Sequence, residues 1–412
     1  MGEVAQNWPN KDTSGVLAAD SPVTNLKAPT AKTRLWSVEG DGETPLPDDT
    51  SWGASQAIPA LADLRACIDA VLTEFLREKA AAAEREHLPA SFVQAVAGFL
   101  AAGGKRLRPL LCVTGWHAAV GERTPPAAVI RVAAALEMFH AFALIHDDVM
   151  DQSSIRRGEP TVHRALAGQR IASGDSPESA EWFGVGAAVL VGDLALTWSD
   201  ELIHTAGLTP DELTGLLPLL DVMRSEIMYG QYLDLAATGS PTDDVERALT
   251  IARYKTSKYS IERPLHIGAV LAGADDDLLD ALTAYALPLG EAFQLRDDLL
   301  GAFGDPAETG KPRMDDLRDG KHTALVALAL RTASADSADL LRDLLGRADL
   351  TDAQAERVRA VLIESGARTG IEDMIAQHRD SVEKLLSNPG SIHPGALPVL
   401  RCLAESATQR SV

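Results

Sequence analysis

Three aspartates closing one apolar run are the first residues in this chain that could do chemistry. Ala133 to Asp151 reads AAALEMFHAFALIHDDVMD, with no Gly or Pro to interrupt a helix. At about 100° per residue, Asp151 falls some 40° from Asp147 and His140 about 20° to the other side, so these three share a stripe with Asp148 beside it. Carboxylates this close repel one another and weaken a helix unless a cation neutralises them. Oxygen ligands with no cysteine nearby suit a hard divalent ion. Mg²⁺ takes only one or two carboxylates and completes its shell with water and substrate phosphate oxygens, so a phosphorylated substrate is implied. The bland alternative is a solvated acidic helix end. Against it stands the apolar ALIH just ahead of the acids, which puts them at the end of a buried helix.

A second run, Ala292 to Leu300 (AFQLRDDLL), places Gln294, Asp297, Asp298 and Gly301 at i, i+3, i+4 and i+7, again one helical face. Helices that each project carboxylates inward can build a shared metal site within a bundle. Basic residues gather beside both clusters. GGKRLRP holds Lys105, Arg106 and Arg108; SIRRGEP holds Arg156 and Arg157; Lys255 and Lys258 lie in YKTSKYS; Lys311 and Lys321 follow the second cluster. Each alone reads as a solvated surface charge. Interleaved with acidic metal sites, they are what a diphosphate and its Mg²⁺ require, since Arg offers a planar fork to phosphate and Lys a compact charge.

The elements that must position these groups are helical. From Ile58 onward, Ala/Leu-rich segments carry apolar residues three and four apart, punctuated by Gly, Pro and Asp, whereas alternating β-branched runs are nearly absent and aromatics are only 5% of residues. The prediction is an all-α bundle over residues 56–412. Residues 1–55 are expected to be a disordered polar tail, and Ala172–Glu181 and Gly301–Arg313 to be loops. A chain of 412 residues that is 46% hydrophobic can bury a large core. Its formal charge of −21 opposes attraction to nucleic acid or anionic lipid. Three scattered cysteines suggest neither a disulfide framework nor a zinc site. No signal sequence and no uncharged membrane span are seen, so a cytoplasmic protein is expected.

Taken in order, GGKRLRP (Gly103–Pro109), HDDVMDQSSIRRGEPTVH (His146–His163), GQYLD (Gly230–Asp234), Lys255–Thr256, FQLRDDLLGAFGDPAETGKP from Phe293 and DDLRDGKHT from Asp315 resemble the trans-isoprenyl diphosphate synthases, or polyprenyl synthetases. That resemblance implies an isoprenoid synthase-type helical bundle around a central apolar cavity. It implies prenyltransferase activity, joining isopentenyl diphosphate to an allylic diphosphate (dimethylallyl, geranyl or farnesyl). Asp147, Asp151 and Asp297 would hold Mg²⁺, about three ions when substrate is bound, with Asp148 and Asp298 orienting ligands and waters. Arg156, Lys255, Lys311 and Lys321 would hold the allylic diphosphate, and Lys105, Arg108, His140 and Arg157 the isopentenyl diphosphate. Thr256 and Gln294 would aim oxygen dipoles at the allylic cation, and the departing diphosphate would take the final proton. A homodimer is implied as well.

One departure stands out: the second acidic motif of the family often reads DDxxD, but its last position here is Gly301, from which a weaker, water-mediated metal contact is expected. Product length in this family is read just ahead of the first aspartate. Phe142 lies five positions before Asp147 and Ala143 four before. A single aromatic at the fifth position resembles geranylgeranyl diphosphate synthases, with farnesyl or longer polyprenyl products as alternatives and ordinary packing of Phe142 as the bland reading. A terpene cyclase would lack the basic set formed by Lys105, Arg108 and Arg157. A noncatalytic partner subunit would have lost aspartates or basic ligands.

Overall fold

The computed structural model describes residues 60–304 and 314–408. The polar segment expected over residues 1–55 and the candidate Lys311 lie outside the described residues. The all-α expectation holds. The first half runs α1 (Leu61–Arg85), α2 (Ala90–Ala101), α3 (Leu107–Val120), α4 (Ala127–Met150), α5 (Val162–Ala172), α6 (Pro177–His204) and α7 (Pro210–Ala237). Then α8 (Val245–Ala252) continues through a π-helical segment (Arg253–Glu262) into α9 (Arg263–Leu271), followed by α10 (Asp276–Phe303). The C-terminal part comprises α11 (Asp315–Asp319), α12 (Ala324–Thr332), α13 (Ala335–Leu344), α14 (Asp352–Glu364), α15 (Ala367–Ser387) and α16 (Leu397–Thr408). Among the described residues the one sheet is a two-stranded antiparallel hairpin, β1 (Ile155–Arg156) with β2 (Glu159–Pro160).

Two expected loops are shorter than the sequence suggested. Ser176 accepts from the Ser179 amide and Pro177 opens the first turn, so α6 absorbs half of the stretch predicted as loop up to Glu181. Likewise α10 runs through Gly301 to Phe303, because a glycine near a helix end costs only about 1 kcal/mol against alanine.

Helix α4 packs on α6, α3 on α9, and α10 on both the π segment and α15. Met138 and Ile145 of α4 are fully buried, and each contributes roughly 2 kcal/mol through that burial. Such anchoring tolerates the repulsion at the acidic end of the same helix. A second apolar cluster gathers Leu295 and Leu299 of α10 with Leu317, Leu325 and Leu341, which seats α11 beside the C-terminal end of α10. Among the described residues two helices, α4 and α6, are long and apolar enough to cross a membrane by length and composition. In α4, 67% of that stretch is buried within the bundle. In α6 the figure is 39%, and its uncovered part carries Trp182, Phe183, Val189 and Leu190.

Candidate active site

The acidic ends of α4 and α10 meet through two chains of contacts. In the first, Lys255 Nζ of the π segment donates to Asp147 Oδ1 on α4 at 3.1 Å and to Asp234 Oδ2 on α7 at 2.6 Å. Its neighbour Thr256 donates to Gln294 Oε1 on α10 at 2.6 Å, and Gln294 Nε2 donates to Asp298 Oδ1 at 2.9 Å. In the second, Lys321 Nζ reaches Asp151 Oδ2 at 2.9 Å and lies 3.7 Å from Asp316 Oδ1 on α11. Asp316 in turn rests on α10: a Cβ added to Gly301 would sit 2.0 Å from Asp316 Oδ2. Clusters about 150 residues apart in the chain therefore face one site, as the metal hypothesis requires.

The electrostatics there are those of an acidic pocket only partly neutralised. Burial alone would raise the Asp147 carboxyl, but Lys255, Lys321 and Arg156 reverse this and hold it well below the usual carboxylate range. Burial disfavours the charged forms of Lys255 and Lys321 too, yet the surrounding aspartates keep both firmly protonated. Asp298 behaves oppositely. Burial pushes it up to about 7, the Gln294 hydrogen bond opposes this, and the nearby Asp297 and Asp316 reinforce it. Asp319 is driven up to about 6, chiefly by burial. Burial is the main cause of both shifts and neighbouring carboxylates add to it, so a divalent cation bound there would favour the charged forms.

Residue chemistry thus fits Mg²⁺: the donors are oxygens, and the carboxylates outnumber the cations among them. Among the described residues no three His, Cys, Asp or Glu side chains form a preformed cage. Mg²⁺ does not need one, since it keeps waters and phosphate oxygens in its shell.

The basic pocket is built by the hairpin and the N-terminus of α3. Arg157 and Gly158 form its two-residue turn, both at positive φ (55° and 81°), the pattern of a type I′ connection. That turn sends neighbouring arginines to different partners. Arg156 pairs with Asp148 at 2.7 Å and with Asp147 at 3.2 Å. Arg157 instead donates to the Gly103 carbonyl and stacks over Phe99.

On α3, Arg108 lies over the Tyr259 ring at 4.5 Å and donates to Ser260 Oγ at 2.5 Å. Its Nε is buried without a hydrogen-bond partner among the described residues. The Tyr259 hydroxyl lies 3.2 Å from His140 Nδ1. Burial, then Arg108, Arg157, Arg156 and Arg106, keep the His140 imidazole neutral. An orphaned guanidinium N–H beside a histidine that cannot charge is a site short of an anion.

These contacts carry a family assignment, and sequence comparison agrees with them. The polyprenyl synthetase profile matches residues 90–362. The chain belongs to the polyprenyl synthetase family. It is 32% identical over 312 residues to geranylfarnesyl diphosphate synthase of Aeropyrum pernix, covering 75% of this chain and 91% of that one. It is 32% identical over 313 residues to geranylgeranyl diphosphate synthase of Saccharolobus solfataricus, covering 75% and 87%. Among solved structures, geranylgeranyl pyrophosphate synthase from Corynebacterium glutamicum, complexed with isoprenyl diphosphate and magnesium, superposes with a TM-score of 0.80 at 37% identity, over 86% of this chain and all of that one.

The structure brings together Asp147, Asp148, Asp151, Lys255, Lys321, Thr256, Gln294, Asp298 and Arg156. It sets Arg108, His140 and Arg157 in the basic pocket. Asp297 occupies α10 beside Asp298, partly exposed. Lys105 is exposed and donates to the Ser406 carbonyl at 3.0 Å. Arg106, in the same motif, is structural, pairing with Asp69 and with buried Glu137. Phe142 lies between Phe139 (5.2 Å) and His146 (4.8 Å). The sequence reading did not single out Asp234, Tyr259, Ser260 or Asp316. Asp234 closes GQYLD and Asp316 opens onto DLRDGK, so an acid within a Gly-bounded motif was the available signal. Tyr259 and Ser260 carried none.

Gly301 looked like a lost ligand. In the fold its missing side chain is the space that the Asp316 carboxylate occupies.

Proposed function

We propose that the chain is a Mg²⁺-dependent prenyl diphosphate synthase that condenses isopentenyl diphosphate with an allylic diphosphate, with geranylgeranyl diphosphate as product. The single observation that carries this is the continuous link Asp147–Lys255–Thr256–Gln294–Asp298, which faces two acidic helices across one site. Bound Mg²⁺ would supply Lewis-acid neutralisation of the leaving diphosphate, held by Asp147, Asp151 and Asp297, with Asp148 and Asp298 orienting ligands and waters.

The residues do the rest. Lys255, Lys321 and Arg156 now pair with the acids, so their donors are already directed at the place where diphosphate oxygens would replace carboxylate contacts. Thr256 and Gln294, locked to each other, present oxygen dipoles to the positive charge that develops as the allylic C–O bond breaks. Arg108, Arg157, Lys105 and His140 bind the isopentenyl diphosphate, whose double bond attacks the allylic carbon that the diphosphate has left; the departed diphosphate then takes the proton lost as the new double bond forms. An apolar cavity beside the site would keep water from the cation.

Phe142, packed on Phe139 and His146, is our choice for the residue that limits the chain to geranylgeranyl length, with Ala143 leaving room beside it. We read the protein as cytoplasmic, and as a homodimer because α6 and α7 expose Trp182, Leu190, Met228, Tyr229 and Tyr232 on their outer faces. The test of function is to incubate purified protein with isopentenyl diphosphate and each allylic primer, with Mg²⁺ or with chelator, and to measure product length. Geranylgeranyl diphosphate is expected with metal and nothing with chelator. A cyclised hydrocarbon would establish the terpene cyclase reading instead, and no product from any primer would sink both.

A further inference from the structure

Between α8 and α9 the chain widens into a π-helical segment, Arg253–Glu262, that carries Lys255 and Thr256. A π helix of this length is rare, because i→i+5 geometry is poorer than the α form that flanks it on both sides. Something outside the segment has to hold it open. Two close helix approaches leave it little room. A Cβ on Gly230 of α7 would lie 2.4 Å from the Lys255 amide nitrogen, and one on Gly290 of α10 would lie 2.4 Å from Ser257 Cα.

Each of these glycines has a carboxylate close by on its own helix that clamps one end of the segment. Next to Gly290, Glu291 accepts from Arg253 Nε at 2.8 Å and Nη2 at 2.6 Å, at the segment's first residue. One turn before Gly230, Glu226 accepts two hydrogen bonds from Arg263, the residue that follows the segment's last, at 2.7 and 2.8 Å, and lies 3.1 Å from Lys258 Nζ in the segment's middle.

We propose that Glu226 and Glu291 are positioning residues: they pin the two ends of the π segment so that Lys255 and Thr256 face the acidic helices. What Lys255 and Thr256 then do rests on the function proposed above; the clamp itself does not. Were the segment to relax to α-helix, its side chains would rotate relative to α7 and α10, and a displacement near 1 Å at a reacting centre can cost about 100-fold in rate.

The test is Glu226→Gln, which keeps shape and removes charge, with Glu226→Asp as the conservative variant. Glu372→Gln is the control, because it breaks the bidentate Arg296–Glu372 pair (2.8 and 2.7 Å) elsewhere on α10. Three readouts are needed: turnover well below each melting temperature, amide hydrogen exchange across residues 253–262, and the melting temperature itself.

Positioning predicts that Glu226→Gln loses turnover by about 10- to 100-fold with faster exchange confined to 253–262, and that Glu226→Asp recovers part of both. Glu372→Gln should lower the melting temperature without either change. Turnover lost with unchanged exchange, exchange raised with unchanged turnover, or equal effects of Glu372→Gln would each overturn the proposal. If Glu226→Gln does not fold, Glu291→Gln poses the same question from the other end. Should the wild type turn over no isoprenoid diphosphate, the functional reading fails, while the exchange data still decide whether the clamp exists.

Discussion

Replacing Phe142 with alanine should lengthen the product, and the structure sets the size of the effect. The Phe142 ring is almost buried, with its centroid 5.2 Å from that of Phe139 and 4.8 Å from that of His146. Truncation removes about six ring carbons, and a further isoprene unit brings about five, so the vacated space accommodates one added unit. At about 0.8 kcal/mol per buried carbon, filling it recovers roughly 4 kcal/mol. Creating the same cavity in the unliganded protein costs about 3–5 kcal/mol, typical of Phe→Ala in a core. The two nearly balance. The variant should therefore melt lower when empty, regain stability with a longer product bound, and shift its products from geranylgeranyl to at least the next homologue. Chromatography of dephosphorylated products from dimethylallyl and geranyl primers reads this directly. A folded variant whose products are no longer than those of the wild type would refute the idea that Phe142 sets the end of the chain.

Four further outcomes follow. Asp316→Asn should weaken Mg²⁺-dependent binding of inorganic pyrophosphate by about 10-fold in a calorimetric titration, and Gly301→Ala should do the same by displacing the Asp316 carboxylate; wild-type affinity in both would assign Asp316 no part in the site. Lys255→Met leaves Asp147 and Asp234 without their shared cation, so the metal-free protein should lose about 3–5 kcal/mol, and added Mg²⁺ should restore part of the melting temperature. Burial among arginines lowers the His140 pKa, so the unfolded chain takes up this proton more readily than the folded protein; the stability involved is full above about pH 6.5 and is lost as pH falls. Wild type should consequently lose melting temperature between pH 7.5 and 5 faster than His140→Gln, and parallel curves would contradict the assignment. Finally, Leu190→Glu with Tyr229→Glu should turn a dimer into a monomer in light scattering, because charge on both exposed faces opposes their burial.

How much of this was legible beforehand differs from residue to residue. Helix class and the order of motifs follow from local rules. A 3.6-residue period and the absence of Gly or Pro make α4 a helix whatever surrounds it, and the same period puts His140, Asp147 and Asp151 on one stripe. The chemistry of Asp and Lys side by side, and their implied need for metal and phosphate, is likewise a property of residue type. Local rules failed where a partner distant in sequence sets the outcome. Arg106 and Arg108 look alike in GGKRLRP, yet one is consumed by Asp69 and Glu137 while the other keeps an unpaired N–H for an anion.

Gly301 is the sharpest case. As a letter it is a missing carboxylate; in the fold it is the gap through which Asp316 reaches the same place. The π segment is invisible for a related reason, since nothing in YKTSKYSIE forbids an ordinary α-helix. Its conformation is decided by Glu226 and Glu291 on other helices. Periodicity and side-chain chemistry act over a few residues and can be read from the chain, whereas the pairing of charges across helices is a matter of distance, and only tertiary packing determines distance.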